Sequence, residues 1–455
     1  MMAHRVPVRF EGDGSGVEEL SWGQRELWEA MRRQFTWMPM GFALPVPPGT
    51  TVDDAVAQLR FMMGRYQSMR TRVRRDPDGH DRQVVAASGE IGLEVVDADP
   101  GEDPAAVAEA VRQRFCDADH DFARDWPVRM AVVRHHGVPT HQVVILCHLV
   151  TDGFGALVIM REIEDRDLVH GRVPVPPVTA LEPMAQARWE ASPAGQREHA
   201  AVLRRWEGVL RDIPARRFPG PADPREPRHW QARLDSPATL LAVRAIRART
   251  TVDTSSILLA LFVVSWARVT GVDPVVTRVV ANNRFRRGLA ETVSPVTHTG
   301  LCVIPLGDTT FDEALSAVHR RTVAAYRYAY YDPRELDKLV ARVAAERGEQ
   351  LDLSCFFNDR RLVTRDLTEA PPPSDPAEVT AALGRSRLRW HRQDKPVERL
   401  FATINDEPDT LDYELFADTH HIAPADLESC LRGMEALAVR AAFDPSVRVL
   451  EKVAT

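Results

Sequence analysis

Residues 143–155 constrain the fold of this chain more than any other stretch of its sequence. The apolar run Val143–Cys147 predicts a buried strand, and His148 follows it directly. The pair Asp152-Gly153 comes four residues after the histidine, and a helical pattern then covers about Phe154–Leu168. This order predicts a strand, a tight turn and a helix start, with an imidazole at the end of the strand.

A histidine between the end of a strand and the start of a helix is well placed for acid–base catalysis. A histidine accepts a proton near neutral pH, and a glycine lets a substrate approach the backbone closely. A helix N-terminus also favours developing negative charge. The alternative interpretation is a core histidine that happens to precede a turn, and this segment alone does not decide between the two.

Composition excludes several classes of protein. The chain has 455 residues and a net charge of -7, which favours two or three domains and argues against a nucleic-acid binder that neutralises phosphates. Residues 1–10 lack the apolar core of a signal peptide. The longest apolar run, Ile257–Ala267, is too short to span a bilayer. We therefore expect a cytoplasmic protein that binds neither nucleic acid nor a membrane.

The cysteines and histidines give no metal-binding pattern. Five cysteines lie far apart in the sequence, which is typical of reduced thiols in a cytosolic protein. No Cys-x-x-Cys or Cys/His cluster indicates zinc. We expect no metal site.

The order of predicted elements favours two lobes. A linker at residues 171–178, rich in valine and proline, excludes a regular helix. Helices and short strands alternate on both sides of it, which permits two similar α+β lobes. We therefore predict an N-terminal lobe over residues 1–175, which carries His148, and a C-terminal lobe over residues 176–455.

Ordered motifs give a family resemblance. Residues 147–153, Cys-His-Leu-Val-Thr-Asp-Gly, resemble the His-His-x-x-x-Asp-Gly hallmark of the condensation-domain superfamily of nonribosomal peptide synthesis, with Cys147 in place of the first histidine. Further stretches resemble that family in the right order: Ser21–Trp28, Met69–Arg72, Pro127–Arg129, Asn283-Arg284 and Leu301–Leu306. Agreement in order and spacing over about residues 18–442 is more specific than any single motif.

The resemblance implies both a fold and a place for the site. The family fold is α+β, with two chloramphenicol-acetyltransferase-like lobes in a V-shaped pseudo-dimer around a central cleft or tunnel. Pantetheine arms enter that tunnel from both faces, and the resemblance puts His148 at its middle.

The residues of the hallmark have distinct expected roles. His148 is either a general base or a group that holds the attacking amine. Gly153 is expected to present a backbone N–H to the thioester oxygen. The resemblance implies that Asp152 turns away and pairs with an arginine, Arg284 first. Arg70 and Arg129 are the alternative partners.

Departures from the family pattern leave other roles open. Cys147 is expected to be structural, with a nucleophilic thiol as the alternative. Four further residues are candidates for substrate binding: His298, Cys302, Ser354 and Asn358. His298 could equally lie in a surface loop, and Ser354 and Asn358 could cap a turn.

We therefore predict a free-standing condensation enzyme of natural-product and antibiotic biosynthesis. It would join an acyl or aminoacyl thioester to an amine or hydroxyl acceptor that is a small molecule or carrier-tethered. A carrier protein acting in trans would supply the phosphopantetheine arm, and no bound cofactor is expected. The alternatives are an acyl-coenzyme A-dependent acyltransferase of the same fold, an epimerase, and a non-catalytic docking module.

Overall fold

A computed structural model describes most of the chain. The described residues are 2–164, 176–215, 217–218, 220, 224–361, 371–373, 375–393, 398–405 and 407–450. They form two units, of which unit 1 comprises residues 1–198 and 282–297 and unit 2 comprises residues 199–281 and 298–455. The predicted linker falls largely outside the described residues, and the boundary at residue 175 stays a prediction.

Unit 1 contains two β-sheets. The strands of its five-stranded sheet are, in spatial order, β1 (Met2–Glu11), β6 (Ser88–Ala98), β7 (Val128–His135), β8 (Val138–Cys147) and β3 (Pro39–Pro45). A smaller sheet has the order β2 (Gly16–Glu19), β5 (Asp81–Val85) and β4 (Thr71–Arg75). Strand β8, which lies between β7 and β3, is apolar and buried over its second half, as residues 143–147 predict.

Helices of unit 1 pack on these sheets. They are α1 (Trp22–Gln34), α2 (Val52–Arg65), α3 (Pro104–Asp117), α4 (Gly153–Glu164) and α5 (Pro183–Ala191). Ser21 caps α1 in a capping box with Gln24. Helix α4 confirms the predicted helix after Asp152-Gly153 as far as residue 164. The predicted continuation to Leu168 lies outside the described residues.

Unit 2 is built on one seven-stranded sheet. Its order is β11 (His298–Ile304), β10 (Val275–Ala281), β12 (Cys355–Asp359), β14 (Leu400–Asn405), β15 (Leu411–Asp418), β9 (His229–Ser236) and β13 (Arg387–Gln393). Strand β12 runs parallel to both β10 and β14, and the other neighbours are antiparallel. Unit 2 has two apolar clusters. Val275 and Val279 of β10 belong to the larger one, and Val276, on the opposite face of the same strand, belongs to the smaller one.

The remaining helices belong to unit 2, except that α6 begins in unit 1. They are α6 (Pro193–Asp212), α7 (Pro237–Thr250), α8 (Thr254–Thr270), α9 (Phe311–Arg327), α10 (Pro333–Arg347), α11 (Pro376–Ala382) and α12 (Pro424–Ala441). Helix α8 is buried over almost its whole length, as its continuous apolar run predicts. Asp253 caps its start, and Gly271 ends it with the left-handed backbone that glycine favours.

Among the described residues, no single helix is both long enough and apolar enough to cross a membrane. Helices α7 and α8 together pass the same test of length and composition, but the pair is bent by 114°.

The α+β fold with two sheet-based units agrees with the predicted fold class. Several elements were not predicted, among them β1, β6, β9, β13 and β14. Strand β13 shows why, because its sequence Arg-Leu-Arg-Trp-His-Arg-Gln is largely charged and exposed at the sheet edge. Pairing with β9 rather than apolar patterning makes it a strand.

Candidate active site

His148 directly follows β8 and makes one hydrogen bond through its backbone and one through its ring. Its backbone N–H donates to Met38 O at 3.2 Å. In the ring, Nδ1 lies 2.9 Å from Thr151 O. Because a carbonyl oxygen only accepts hydrogen bonds, Nδ1 carries the proton, and Nε2 of the neutral ring is an acceptor. The half-buried imidazole therefore presents a basic nitrogen.

Asp152 joins the loop after His148 to helix α4. Its side chain is buried, and Oδ1 accepts the N–H of Gly155 at 2.9 Å, which caps the helix. Its backbone oxygen accepts the N–H of Ala156 at 3.0 Å. The other carboxylate oxygen, Oδ2, accepts a hydrogen bond from Thr297 Oγ1 at 3.0 Å.

Arg284 is the partner of Asp152, in agreement with the first expectation. Its Nη2 forms an ion pair with Asp152 Oδ1, and both side chains are buried. The other end of the guanidinium donates to Leu289 O at 3.2 Å and Thr292 O at 2.8 Å. The guanidinium carbon also lies 4.7 Å from the centre of the Phe154 ring. Arg284 therefore connects the loop that follows His148 to residues 289–292.

The two alternative arginines have other partners. Arg70 donates to the backbone oxygens of Asp13, Gly14 and Ala86. Arg129 donates to the backbone oxygens of Phe115 at 2.5 Å and Ala118 at 3.0 Å, at the end of α3. Neither arginine pairs with Asp152.

Gly153 is the first residue of α4 rather than a turn glycine. It does not have the left-handed backbone that only glycine adopts easily. Within the part of the chain that the structure describes, no group accepts a hydrogen bond from its backbone N–H. This donor at a helix N-terminus is placed to bind an oxygen that gains negative charge.

Cys147 is a buried residue whose thiol is hydrogen-bonded. It is 1% exposed, and its Sγ donates to Trp37 O at 3.3 Å. Burial raises the pKa of the Cys147 thiol to about 12. A thiolate is the nucleophilic form, so these features argue against the nucleophile alternative at neutral pH.

An aromatic stack lies beneath this end of β8. The Trp37 ring is stacked on His120 with centres 4.9 Å apart, and the Arg129 guanidinium lies 4.5 Å from the Trp37 ring centre. Burial lowers the pKa of His120 to about 4, so that ring is neutral at pH 7. The stack holds Trp37 and Met38, whose carbonyls bind Cys147 and His148.

His298 and Cys302 both lie on β11 in unit 2. His298 is 1% exposed, and its ring centre lies 5.3 Å from that of Tyr330 and 5.1 Å from that of Tyr331. The expectation of a surface loop for His298 is therefore wrong, because the strand pairs with β10 and aromatic rings cover the side chain. Cys302 is buried in the core of unit 2, and burial raises its pKa to about 12.

Ser354 and Asn358 flank and end β12, and both are half-buried. Both backbone groups of Ser354 form hydrogen bonds. Its N–H donates to Asp352 Oδ1 at 2.9 Å, and its C=O accepts from the N–H of Leu400 at 2.9 Å. Asn358 stands opposite Thr403 of β14. Asn358 is therefore a strand residue, whereas Ser354 directly precedes the strand, and the role of both in substrate binding stays a prediction.

The structure brings together five of the predicted residues in unit 1: Cys147, His148, Asp152, Gly153 and Arg284. Sequence reasoning missed three residues that hold them, namely Met38, Thr151 and Thr297. Thr151 lies inside the hallmark, so its carbonyl could have been considered as the partner of the histidine. Thr297 is 145 residues from Asp152, and no local pattern signals their contact.

The described residues contain no group of three or more His, Cys, Asp or Glu side chains that could hold a metal ion.

Comparison with known proteins gives a family match over most of the chain. The model of the condensation domain matches residues 50–366. The curated nonribosomal peptide synthetase kk1B of Curvularia clavata is 23% identical in an alignment of 350 residues that covers 69% of this chain and 2% of that protein. The chain thus spans only a small part of the length of the curated relatives it matches.

Solved structures show the same fold. The condensation domain described for chain release from the enacyloxin polyketide synthase has a TM-score of 0.71 at 17% identity, covering 98% of this chain and 84% of that one. The SgcC5 protein from Streptomyces globisporus, solved with an aryl ethanediol and sucrose, has a TM-score of 0.68 at 17% identity, covering 94% and 100%.

Proposed function

This chain belongs to the condensation-domain family, and on that premise we propose that it transfers an acyl group from a carrier-tethered thioester to an amine or hydroxyl acceptor, with His148 handling the proton. Condensation domains are acyltransferases that form amide or ester bonds, and this chain is an enzyme of that class. Their substrates arrive on the phosphopantetheine arm of a carrier protein. The donor, the acceptor and the free-standing mode of action belong to the proposal.

The observation that carries the proposal is the hydrogen bond from His148 Nδ1 to Thr151 O. It leaves Nε2 as an acceptor in the neutral ring. A protonated or oppositely oriented ring would present a donor, which cannot take a proton from the acceptor substrate.

The proposed reaction has two steps. The acceptor nitrogen or oxygen attacks the thioester carbonyl carbon, while Nε2 of His148 takes the proton that the acceptor loses. The tetrahedral intermediate then expels the pantetheine sulfur as the C–S bond breaks, and the imidazolium returns the proton to sulfur. A well-placed general base typically contributes about 10²–10⁴-fold to the rate.

Gly153 is proposed to stabilise the oxygen of the tetrahedral intermediate. Its N–H lies at the N-terminus of α4, where the helix dipole favours negative charge. Asp152 and Arg284 are proposed to act structurally, because their charges are used by each other and by the backbone rather than directed to solvent.

The acceptor side is proposed to involve residues of unit 2. Ser354 and Asn358 have the better support, because both side chains are half-buried and can reach a ligand. His298 and Cys302 are almost fully buried, so a contact with substrate would have to involve the edge of the imidazole or of the thiol. The aryl ethanediol bound to SgcC5 motivates the inclusion of alcohols among the acceptors to be tested.

The test is product formation measured by mass spectrometry with wild type, His148→Ala and His80→Ala, the last an exposed histidine that serves as the matched control. Acyl donors are offered both on a carrier protein and as coenzyme A thioesters, with amine and alcohol acceptors. We expect carrier-bound donors to react, His148→Ala to be at least about a hundredfold slower, and His80→Ala to match wild type.

Two outcomes would overturn the proposal. Equal use of coenzyme A thioesters would remove the carrier partnership in favour of an acyl-coenzyme A-dependent transferase. Absence of turnover, with binding to a loaded carrier that His148→Ala leaves unchanged, would favour a docking module. Cys147 in place of the first hallmark histidine is the observation that makes this second candidate worth testing.

A further inference from the structure

We propose that Thr297 is a positioning residue for His148, acting through the carboxylate of Asp152. The proposal rests on the proposed function of His148, and its test includes a measurement that does not depend on turnover. Thr297 ends the segment 282–297, which lies between β10 and β11 in sequence but belongs to unit 1.

The Asp152 carboxylate uses both of its oxygens. Oδ1 accepts from Arg284 Nη2 and from the N–H of Gly155. Oδ2 accepts from Thr297 Oγ1 at 3.0 Å, the only hydrogen bond to that atom among the described residues. Because Asp152 is 4% exposed, water has little access to replace the threonine hydroxyl. Removal of this hydroxyl would leave a buried carboxylate oxygen without a donor.

The carboxylate is connected to the imidazole through a short stretch of backbone. Asp152 caps α4 and follows Thr151, whose side chain is fully buried and donates to Asp152 O at 3.2 Å. The carbonyl of Thr151 holds Nδ1 of His148. A rotation of Asp152 would therefore tilt the Thr151 peptide and weaken the bond that selects the tautomer of His148.

Thr297 itself is held in place by the segment that carries it. Asn283 has a left-handed backbone (φ 55°), and its Nδ2 donates to Val296 O at 2.9 Å, which closes the segment just before Thr297. Gln186 of α5 donates to Thr292 Oγ1 at 2.8 Å and accepts from Ser294 Oγ at 3.0 Å. The hydroxyl of Thr297 therefore approaches Asp152 from a braced backbone.

The experiment compares Thr297→Val, which keeps the shape and removes the hydroxyl, with Thr297→Ser, which keeps the hydroxyl. Thr250→Val is the matched control, since it removes a threonine hydroxyl that binds only the backbone of α7. The first measurement is the ring ¹⁵N spectrum of histidine-labelled protein, with His148 assigned by its absence from His148→Gln. The second is kcat and KM with the donor and acceptor found active.

We expect wild type to show the Nδ1-protonated tautomer at His148, and Thr297→Val to show a mixture of tautomers. We also expect Thr297→Val to lower kcat by about tenfold while KM changes less than about twofold, because positioning rather than binding is lost. Thr297→Ser and Thr250→Val should match wild type in both measurements.

An unchanged His148 spectrum in folded Thr297→Val would overturn the proposal, as would an altered spectrum in Thr297→Ser. If Thr297→Val does not fold, Thr297→Ala removes the hydroxyl in a smaller side chain, and a wild-type spectrum in that variant overturns the proposal equally. If the spectra change as expected but no donor is turned over by wild type, the positioning role stands and the proposed function fails.

Discussion

Two aspartate–arginine pairs in this protein are similarly buried, but the two partners of each pair lie at very different separations along the sequence. Asp152 and Arg284 have side chains that are 6% and 5% exposed, and they are separated by 132 residues. Asp359 and Arg361 are 4% and 0% exposed, and they are two residues apart at the end of β12. Both pairs are thus nearly dry, but only in the first are the two charged partners themselves far apart in the sequence.

The difference teaches which kind of ion pair can support a catalytic loop. The Asp359–Arg361 pair is bidentate, with contacts of 2.9 and 2.8 Å, and forms within the turn that follows its strand. The Asp152–Arg284 pair requires the segment 282–297 to follow one particular path. That pair therefore links the loop of His148 to the packing of unit 1. The local pair instead links its own turn to the start of α8 in unit 2, where Ser255 donates to Asp359 Oδ2 and Arg361 donates to Thr254 Oγ1 at 3.0 Å.

The largest expected effect comes from breaking the long-range pair. Asp152→Ala leaves the Arg284 guanidinium buried without its counter-charge, which typically costs about 3–5 kcal/mol of folding free energy. It also removes the cap of α4 next to His148. We expect urea unfolding, followed by circular dichroism, to show this loss, and product formation by the remaining folded protein to fall at least about a hundredfold.

Asp359→Ala is the matched variant for the local pair. It leaves the fully buried Arg361 uncompensated, so the loss of stability should also be about 3–5 kcal/mol. The ¹⁵N signal of the His148 ring should stay at its wild-type position. A change of that signal in Asp359→Ala, or none in Asp152→Ala, would contradict the distinction between the two pairs.

The carboxyl group of Glu182 extends the comparison, because it is shielded from water and has no ion-pair partner among the described residues. Glu182 accepts the N–H of Gln67 at 3.0 Å, and no described basic group lies within ion-pair distance. Burial raises its pKa from near 4.5 to about 7. The native state therefore holds this proton more tightly than the unfolded state, so stability is lost as the pH rises through that range.

Glu182→Gln stays neutral at every pH. We expect it to match wild type near pH 4.5 and to exceed it by roughly 2–3 kcal/mol at pH 8, measured by urea unfolding across pH. The exposed Glu378 of α11 provides the control, since Glu378→Gln should leave the pH dependence as in wild type. A Glu182→Gln curve parallel to wild type would show that the carboxyl is already ionised at pH 5.

The smallest expected effect is at Cys147, which lies beside His148 but has no charged partner in contact. Cys147→Ala should cost about 1–2 kcal/mol from the lost buried sulfur and lower kcat less than about threefold. Urea unfolding and product formation check the two values. A loss of kcat as large as that of His148→Ala would instead make the thiol part of the chemistry.

The local sequence was sufficient to predict the strand before His148, the helix after it and the loop that joins them. The apolar run 143–147 predicted β8, and the pair Asp152-Gly153 predicted the start of α4. The partner of Asp152 came from the family resemblance and not from local pattern. The buried position of His298 was missed because the tyrosines that cover it come some thirty residues later, after α9.

The sequence by itself determined that an imidazole follows a buried strand and precedes a helix, because apolar period and helix-start residues act over a few neighbours. Only the tertiary structure decided which nitrogen of His148 accepts a proton and which residues hold Asp152. Those properties depend on Thr151, Arg284 and Thr297, of which two approach from a segment more than 130 residues away. Contacts between residues so far apart in the sequence depend on how whole helices and strands pack, and a short sequence pattern does not encode that packing.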